Sequence, residues 1–461
     1  MNKFKNELVL RALKIGNVLL IAVPFILCWY GYYNHQIIAP FYEKGNWLMM
    51  ALFMMLYVTF GRIYDAFAVA ISKPTELAYS QSLAVLLSDC IMYFVIWILC
   101  RKLPNMLPGL MALACQFVLT WGWSLLVYKW YHSVFPPKKS AIIYDYQKEI
   151  DTLIREYGME KEFDIRFSVD VESCIDNLSM LDGMDTVFVS GVHSHERNII
   201  IKYCIARGIH AYVLPRIGDV LMSGAKRVHM LHLPMLRVDR YNPHPETLIV
   251  KRAFDIVFSG LMLLMLSPIM LVTAIAIKAT DGGPVFYKQT RLTKDGKEFQ
   301  VLKFRSMRVD AEKDGVARLS TGDADDRITP VGRFIRKVRI DELPQFLNIL
   351  FGDMSVVGPR PERPEIAAQY EEDLPEFRLR LQVKAGLTGY AQVYGKYNTE
   401  PYDKLQMDLM YISNPSFAED LRIIFATVKI LFTPESTDGI AAGKTTAAQE
   451  QTEEDLVGAG K

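Results

Sequence analysis

Two neighbouring carboxylates, Asp341 and Glu342, follow a run of cations: Arg333, Arg336, Lys337 and Arg339. The pair opens a predicted helix over residues 342–350, with Pro344 in the first turn, where proline is tolerated. The cations and the positive end of a helix both favour an ionised carboxylate, and both would attract an anionic ligand. The alternative for such a pair is a capped helix start in solvent.

Further basic residues flank this pair along the chain. Lys303 and Arg305 stand at the end of a predicted strand, residues 299–302, and Arg360 lies between Pro359 and Pro361. Guanidinium groups bind phosphate well through their planar fork of donors, and two prolines would hold an arginine in place. Ordinary charges at a strand end and a rigid surface turn are the alternatives.

The first part of the chain is strongly apolar. Four stretches contain at most one charged residue each: 15–42, 45–61, 77–100 and 103–128. A helix that spans a bilayer needs about 20 apolar residues. The sequence therefore predicts a helical bundle of four transmembrane helices over residues 1–135. Asp89, the one charge within these stretches, is either functional or forms an interhelical hydrogen bond.

Basic residues near the predicted helices set the orientation. They precede the first helix, lie between the second and third, and follow the fourth, which places all three groups in the cytoplasm. Arg101 and Lys102 run against this rule. The predicted location is the bacterial inner membrane, with everything after residue 135 on the cytoplasmic side.

Residues 136–245 have the composition of a soluble domain. Helical patterns alternate there with apolar, β-rich runs: 141–144, 165–169, 186–189 and 211–214. This alternation predicts an α/β, Rossmann-like domain with a parallel sheet. The first strand leads into residues 145–148 without the glycine-rich turn that lets a backbone approach a pyrophosphate. We therefore expect no dinucleotide binding there.

Residues 256–277 are uncharged and long enough to span a membrane, but Ser267 and Pro268 lie at their middle. A proline removes a backbone donor and kinks a helix. Two arms of about ten residues could enter one leaflet and return as a re-entrant hairpin. The flanking cations, Lys251, Arg252 and Lys278, would then all lie at the cytoplasmic face. An ordinary kinked span is the alternative.

Several motifs of residues 250–432 occur in a recognisable order. They are Lys303-Phe304-Arg305-Ser306-Met307, Asp326-Arg327-Ile328-Thr329-Pro330, Asp341-Glu342-Leu343-Pro344-Gln345, Val357-Gly358-Pro359-Arg360-Pro361 and Ala385-Gly386-Leu387-Thr388-Gly389. Next to a membrane segment broken by Ser-Pro, this succession resembles the bacterial sugar transferases known as monotopic phosphoglycosyl transferases. With a membrane bundle and an α/β domain in front, the chain resembles their large, polyprenyl-phosphate hexose-1-phosphate transferase branch.

The resemblance implies that a sugar-1-phosphate moves from a UDP-sugar to undecaprenyl phosphate, which starts exopolysaccharide, capsule or O-antigen synthesis. It implies a mixed α/β catalytic domain with a re-entrant helix over residues 246–432. Asp341 matches the family's nucleophile and Glu342 its Mg²⁺-associated residue. The matching donor-binding residues are Lys303, Arg305, Arg339, Pro359, Arg360, Pro361, Gln392 and Asp408.

Partners and rival functions complete the expectations. The implied partners are the UDP-sugar, undecaprenyl phosphate and the lipid bilayer, and a homodimer is plausible. A net charge of +1, from 52 Lys and Arg against 51 Asp and Glu, argues against nucleic-acid binding driven by bulk charge.

A non-catalytic scaffold or regulator of polysaccharide assembly would be expected to lose the Asp-Glu pair. A multi-span glycosyltransferase would lack the Ser-Pro segment. Residues 433–461 are predicted to be disordered.

Overall fold

The computed structural model describes residues 3–145, 150–241, 243–308, 327–395 and 400–431. Three features of the sequence lie outside these residues: most of the turn at 145–148, Asp326, and the tail at 433–461. The described chain divides into two units, and the division falls between Pro215 and Arg216. Each unit has its own apolar core.

Four long helices form the start of the first unit: α1 (Lys3–Gly31), α2 (Glu43–Ile63), α3 (Pro74–Leu99) and α4 (Leu107–Val134). Among the described residues, these and one helix of the second unit are long and apolar enough to cross a membrane. Large apolar side chains such as Leu27 and Leu126 are exposed on their outer faces. The N-terminal region is therefore helical and apolar, as predicted.

Polar side chains inside this bundle bond to one another. The hydroxyl of Tyr57 donates to Asn17 Oδ1 at 2.8 Å, and Gln81 Nε2 donates to the Ala66 carbonyl at 2.9 Å. Such pairing is required because a buried polar group without a partner is costly. Asp89 is different, since its Oδ2 atom is buried and accepts no hydrogen bond from the described residues. Of the two alternatives for Asp89, the interhelical hydrogen bond is not made by this oxygen to the described residues.

A four-stranded sheet follows the bundle, with strands β1 (Lys138–Tyr144), β2 (Phe163–Asp170), β3 (Thr186–Ser190) and β4 (His210–Val213). The strand order is β2-β1-β3-β4 and all neighbours are parallel. Helices α5 (Ile150–Glu156), α6 (Val171–Asp176) and α7 (Ser194–Arg207) alternate with the strands. The four predicted strands are present, and their predicted bounds differ from the observed ones by three residues or fewer.

The second unit is a mixed α/β structure. Its first elements are α8 (Ile217–Ser223), the hairpin β5 (Lys226–Met230) and β6 (Leu233–Arg237), α9 (Pro245–Asp281), and the hairpin β7 (Phe286–Leu292) and β8 (Glu298–Phe304). Then come α10 (Pro330–Lys337), α11 (Gln345–Phe351), β9 (Ser355–Val357), α12 (Pro364–Asp373), β10 (Gly386–Thr388), α13 (Tyr390–Tyr394), α14 (Pro401–Ser413) and α15 (Phe417–Leu431). Strands β9 and β10 pair in parallel.

Helix α9 contains the Ser-Pro pair without ending there. Pro268 lies inside the helix, and the hydroxyl of Ser267 donates to the Leu264 carbonyl at 2.8 Å. The arm before the proline packs on the second unit through Phe258, whose ring lies 6.3 Å from that of Phe346. The arm after it packs through Ile277 in the same unit. Both ends of α9 are thus fixed to one folded body.

Candidate active site

A short 3₁₀ turn, Ile340–Glu342, carries the two carboxylates between α10 and α11. Helix α10 begins cleanly because Thr329 Oγ1 accepts a hydrogen bond from the Gly332 amide at 2.9 Å. It is followed by Arg339, which adopts a left-handed backbone (φ 55°) and so redirects the chain. The next helix begins at Gln345. The predicted start at Glu342 is therefore wrong, because Glu342 and Leu343 belong to the tighter turn and Pro344 precedes the helix.

The turn is anchored on an apolar cluster rather than standing free in solvent. Ile340 and Leu343 pack against the buried side chains of Ile277, Phe304 and Ile335. Because Ile277 belongs to α9 and Phe304 ends β8, the membrane-type helix and the β-hairpin both position the carboxylates. The alternative of a capped, solvated helix start does not describe this environment.

Glu342 is held by two cations on one oxygen. Lys303 Nζ lies 3.0 Å and Arg360 Nη2 lies 2.9 Å from Glu342 Oε1. Burial by itself raises the pKa of Glu342, but the positive charges of Lys303, Arg360 and Arg339 outweigh it. The pKa of this carboxyl therefore ends well below its ordinary range, and Glu342 is a fixed negative charge.

Asp341 differs from its neighbour. Its carboxylate forms no hydrogen bond or ion pair with another residue in the described part of the chain. Burial and the adjacent charge of Glu342 raise the pKa of Asp341 to about 6, although Lys303, Arg336 and Arg360 oppose the rise. The expectation of a carboxyl simply favoured in its ionised form is thus corrected. Asp341 is still mostly ionised at pH 7, yet its charge is poorly stabilised.

Of two further basic residues of the predicted set, Arg339 acts on the pair, and no described contact joins Arg305 to it. Arg305 directly follows β8, its amide donates to the Val285 carbonyl at 2.9 Å, and its side chain is buried. Arg339 is half-buried, and its charge helps to lower the pKa of Glu342. The fold therefore brings four predicted residues to the nucleophile candidate: Glu342, Lys303, Arg339 and Arg360.

The loop of Pro359, Arg360 and Pro361 leaves strand β9 through Gly358. This backbone passes very close to β10, since a Cβ atom on Gly386 would lie only 2.1 Å from the Gly358 amide nitrogen. Only glycine fits such an approach. The Gly-Pro-Arg-Pro sequence is thus explained by tight backbone packing at one end and by restricted dihedrals at the other.

Asp408 and Gln392 lie apart from the carboxylate pair. Asp408, on α14, is 1% exposed and lies 2.7 Å from Arg380 Nη2. Gln392, on α13, donates to the Leu387 carbonyl at 3.1 Å. In the part of the chain that the structure describes, no hydrogen bond or ion pair joins either residue to Asp341 or Glu342. Their assignment as donor-binding residues stays a prediction.

Sequence reasoning missed a group of buried charges behind the loop. These residues are Arg291, Glu362, Arg380 and Lys404, and with Asp408 we call them the buried ion cluster. Glu362 forms ion pairs with the three cations, and that with Lys404 is the shortest. Their pairing joins positions far apart in the chain, so no local spacing marks them.

Comparison with known proteins gives the family context for this site. Residues 246–434 match the family described as bacterial sugar transferase. The chain is 45% identical over 192 residues to an exopolysaccharide production protein of Rhizobium leguminosarum bv. phaseoli, covering 39% of the chain and 94% of that protein. The family match thus contains nearly all of α9, the carboxylate pair and the loop.

Two longer relatives are named for their reactions. The chain is 41% identical over 212 residues to the UDP-glucose:undecaprenyl-phosphate glucose-1-phosphate transferase of Escherichia coli K12, covering 45% of the chain and 44% of the relative. It is 37% identical over 233 residues to the UDP-N-acetylgalactosamine-undecaprenyl-phosphate N-acetylgalactosaminephosphotransferase of Aeromonas hydrophila, covering 50% and 54%. The chain therefore spans about half the length of these two relatives.

Proposed function

Because the chain belongs to the bacterial sugar transferase family, we propose that it is a transferase that moves a hexose-1-phosphate from a UDP-sugar to undecaprenyl phosphate. The observation that carries this proposal is the contrast within the pair. Glu342 is tied to two cations, whereas Asp341 beside it bonds to no described residue and is mostly ionised. A carboxylate that is ionised, lies near cations and is bonded to none of the described residues is suited to attack a phosphate.

The proposed reaction has two displacements. A carboxylate oxygen of Asp341 attacks the donor phosphorus that carries the sugar, a new O–P bond forms, and the bond to the second phosphate breaks so that UMP leaves. The phosphate of the lipid then attacks the same phosphorus and releases the carboxylate of Asp341. The raised pKa of Asp341 favours this route, because a poorly stabilised carboxylate is the better nucleophile.

Neutralisation of phosphate charge is the main demand of this chemistry. Lys303, Arg339 and Arg360 lie around the pair and would meet the incoming diphosphate. Arg360 is held by prolines on both sides, which favours a fixed direction of its guanidinium. These residues supply the positive surroundings that the donor requires.

Mg²⁺ is the proposed metal, and Glu342 is its proposed ligand. Both cations of this residue bind Oε1, so the second oxygen, Oε2, accepts no bond from the described residues. No cluster of three or more His, Cys, Asp or Glu side chains suited to a metal occurs in the described ranges. A single carboxylate that shares Mg²⁺ with donor phosphates and water fits such a sparse donor set. When bound, the metal would neutralise phosphate charge.

We further propose that α1–α4 span the inner membrane, that residues 136–245 form a Rossmann-like cytoplasmic domain, and that α9 is re-entrant. The contacts of α9 support the last point. Arg252 Nη1 donates to the Ile349 carbonyl at 2.6 Å, while Ile277 packs on Phe304 and Ile335 of the same unit. A hydrocarbon core about 30 Å thick cannot separate two ends that are fixed to one folded body.

Cysteine labelling tests this topology. Single cysteines just before residue 251 and just after residue 280 should react from the cytoplasmic side only. Accessibility from opposite sides would contradict the re-entrant helix and favour a kinked span.

Purified protein with undecaprenyl phosphate and a panel of UDP-sugars tests the activity. We expect UMP release and a lipid-linked product with one donor at least. Asp373→Asn, a change at an exposed carboxylate on α12, is the matched control for Asp341→Asn. Absence of turnover with every donor would favour the non-catalytic scaffold.

A further inference from the structure

We infer that Arg380 and Asp408 are positioning residues that hold Arg360 toward Glu342, and that neither touches the donor. This inference rests on the proposed function, since it assigns a task to residues behind the same site. It begins from burial: Arg380 is 3% exposed and Asp408 is 1% exposed. Side chains enclosed to this degree offer almost no surface to a substrate.

The guanidinium of Arg380 joins the loop to α14. Its Nε and Nη2 atoms lie 2.8 Å and 2.7 Å from Asp408 Oδ2, and Nη2 also donates to the backbone carbonyl of Arg360 at 2.9 Å. The ring of Phe377 lies 4.8 Å from the guanidinium carbon and covers one face. Asp408 thereby orients Arg380, and Arg380 fixes the backbone of Arg360.

The next two residues of the loop are held in the same way. Arg291 Nη1 donates to the Pro361 carbonyl at 3.0 Å and lies 3.8 Å from Glu362 Oε2. Arg380 Nη1 lies 3.6 Å from Glu362 Oε1. Three consecutive residues are thus attached to arginines that lie elsewhere in the fold.

A continuous chain of contacts leads from this cluster to the reacting pair. Its steps are Asp408 to Arg380, Arg380 to the Arg360 carbonyl, and the Arg360 side chain to Glu342 Oε1 at 2.9 Å. Because prolines on both sides restrict the loop dihedrals, a displaced carbonyl would move the whole Arg360 side chain. The geometry therefore gives the buried ion cluster one task, which is to hold the Arg360 side chain in place beside Glu342.

A double-mutant cycle distinguishes a positioning role from a purely structural ion pair. Arg380→Lys keeps the charge, but an ammonium lacks the planar fork by which Nε and Nη2 both bond Asp408 while Nη2 also bonds the Arg360 carbonyl. We expect kcat/KM to fall about 10- to 100-fold in this variant, as for other residues that orient a functional group. In an Arg360→Ala background the same change should cost less than about threefold, since the positioned side chain is absent.

The cycle is repeated with Asp408→Asn, which keeps the side-chain volume and one oxygen acceptor, so the test does not depend on the folding of one variant. Glu162→Gln, which breaks the partly buried Lys138–Glu162 pair of the first unit, is the control and should leave kcat/KM within about twofold. Equal losses in both backgrounds would overturn the inference.

Amide hydrogen exchange without substrate supplies a second readout. Arg380→Lys and Asp408→Asn should each speed exchange in the peptide covering residues 356–363 by about threefold or more, while Glu162→Gln should not. Unchanged amide exchange in that peptide would contradict the positioning role even if turnover fell. Lack of any turnover by the wild-type protein would instead reject the proposed function, and exchange would still decide the present inference.

Discussion

The second unit contains two groups of acids and bases, and they are built differently. In the buried ion cluster, Glu362 and Asp408 are both paired with cations, and Lys404, Arg291 and Arg380 surround them. In the carboxylate pair, Glu342 has two cations whereas Asp341 has no bonded partner in the described residues. The first arrangement bonds to a loop on several sides, and the second leaves one carboxylate without a bonded partner in the described residues.

The pKa values follow this difference. Burial acts to raise the pKa of Glu362, but the charges of Lys404, Arg380 and Arg291 lower it to about 2. For Asp341, burial and a neighbouring negative charge raise the pKa to about 6. Fully paired charges thus contribute to structure, while a buried carboxyl without a bonded partner among the described residues has the kind of shifted pKa that is common at functional sites.

Replacement of the available carboxylate should have the largest effect. Asp341→Asn should lower turnover by at least about 10⁴-fold, because the nucleophile is lost. Stability above pH 6 should be unchanged or higher, since the raised pKa means that the folded protein pays to ionise Asp341 as the pH rises from about 4 to 6. Turnover assays and thermal unfolding at pH 8 check both. Near-normal turnover would contradict the covalent scheme.

Loss of the fixed charge should have the next largest effect. Glu342→Gln removes the partner of Lys303 and Arg360 and the proposed metal ligand, so turnover should fall about 10²- to 10³-fold. The Mg²⁺ concentration needed for half-maximal rate should rise, with donor binding partly kept. A titration of rate against Mg²⁺ measures this. An unaltered metal dependence would remove Glu342 from the proposed metal site.

A substitution in the buried ion cluster should lower the free energy of unfolding more than a substitution in the carboxylate pair. Asp408→Ala leaves Arg380 buried without its main partner, which typically costs about 3–5 kcal/mol. Denaturant unfolding in detergent, with Asp341→Asn as the comparison, measures the difference. Equal stabilities of the two variants would mean that the two groups of charges are not built differently.

The carboxylate pair and the buried ion cluster should respond to acid at different pH values. Asp341 must be ionised to attack, so kcat/KM should fall about tenfold per pH unit below about pH 6 and level off above it. Lys303→Met removes a charge that opposes the raised pKa, so the limb should move to higher pH. The paired Glu362, whose pKa is lowered, contributes stability that is lost only as the pH falls from about 4.5 toward 2. A flat profile between pH 5 and 7 would contradict the role of Asp341.

Sequence reasoning predicted the local features of this fold and missed those that depend on distant pairing. The long apolar helices and the strands of the middle region follow from periodicity and composition, and they are present. The predicted start of the helix after Asp341 is too early. Proline is common in the first turn of a helix, and here Pro344 instead lies just before the first helical residue, Gln345. The pKa of Asp341 could not be predicted, since it depends on how deeply the turn is buried, and only the fold packs its neighbours Ile340 and Leu343 on α9 and β8. Arg291 and Arg380 carry no motif, and only the fold brings them to the loop.

A search for the covalent intermediate decides whether Asp341 is the nucleophile. Protein incubated with the preferred UDP-sugar and Mg²⁺, without lipid, is digested and analysed by mass spectrometry, with Asp341→Asn as the control. The covalent scheme predicts release of UMP and a hexose phosphate on the peptide that carries Asp341, which is lost again when undecaprenyl phosphate is added. An unmodified Asp341 peptide in protein that turns over normally with lipid present would contradict it. Direct transfer between the two substrates, with Asp341 as a metal ligand, would then be the better mechanism.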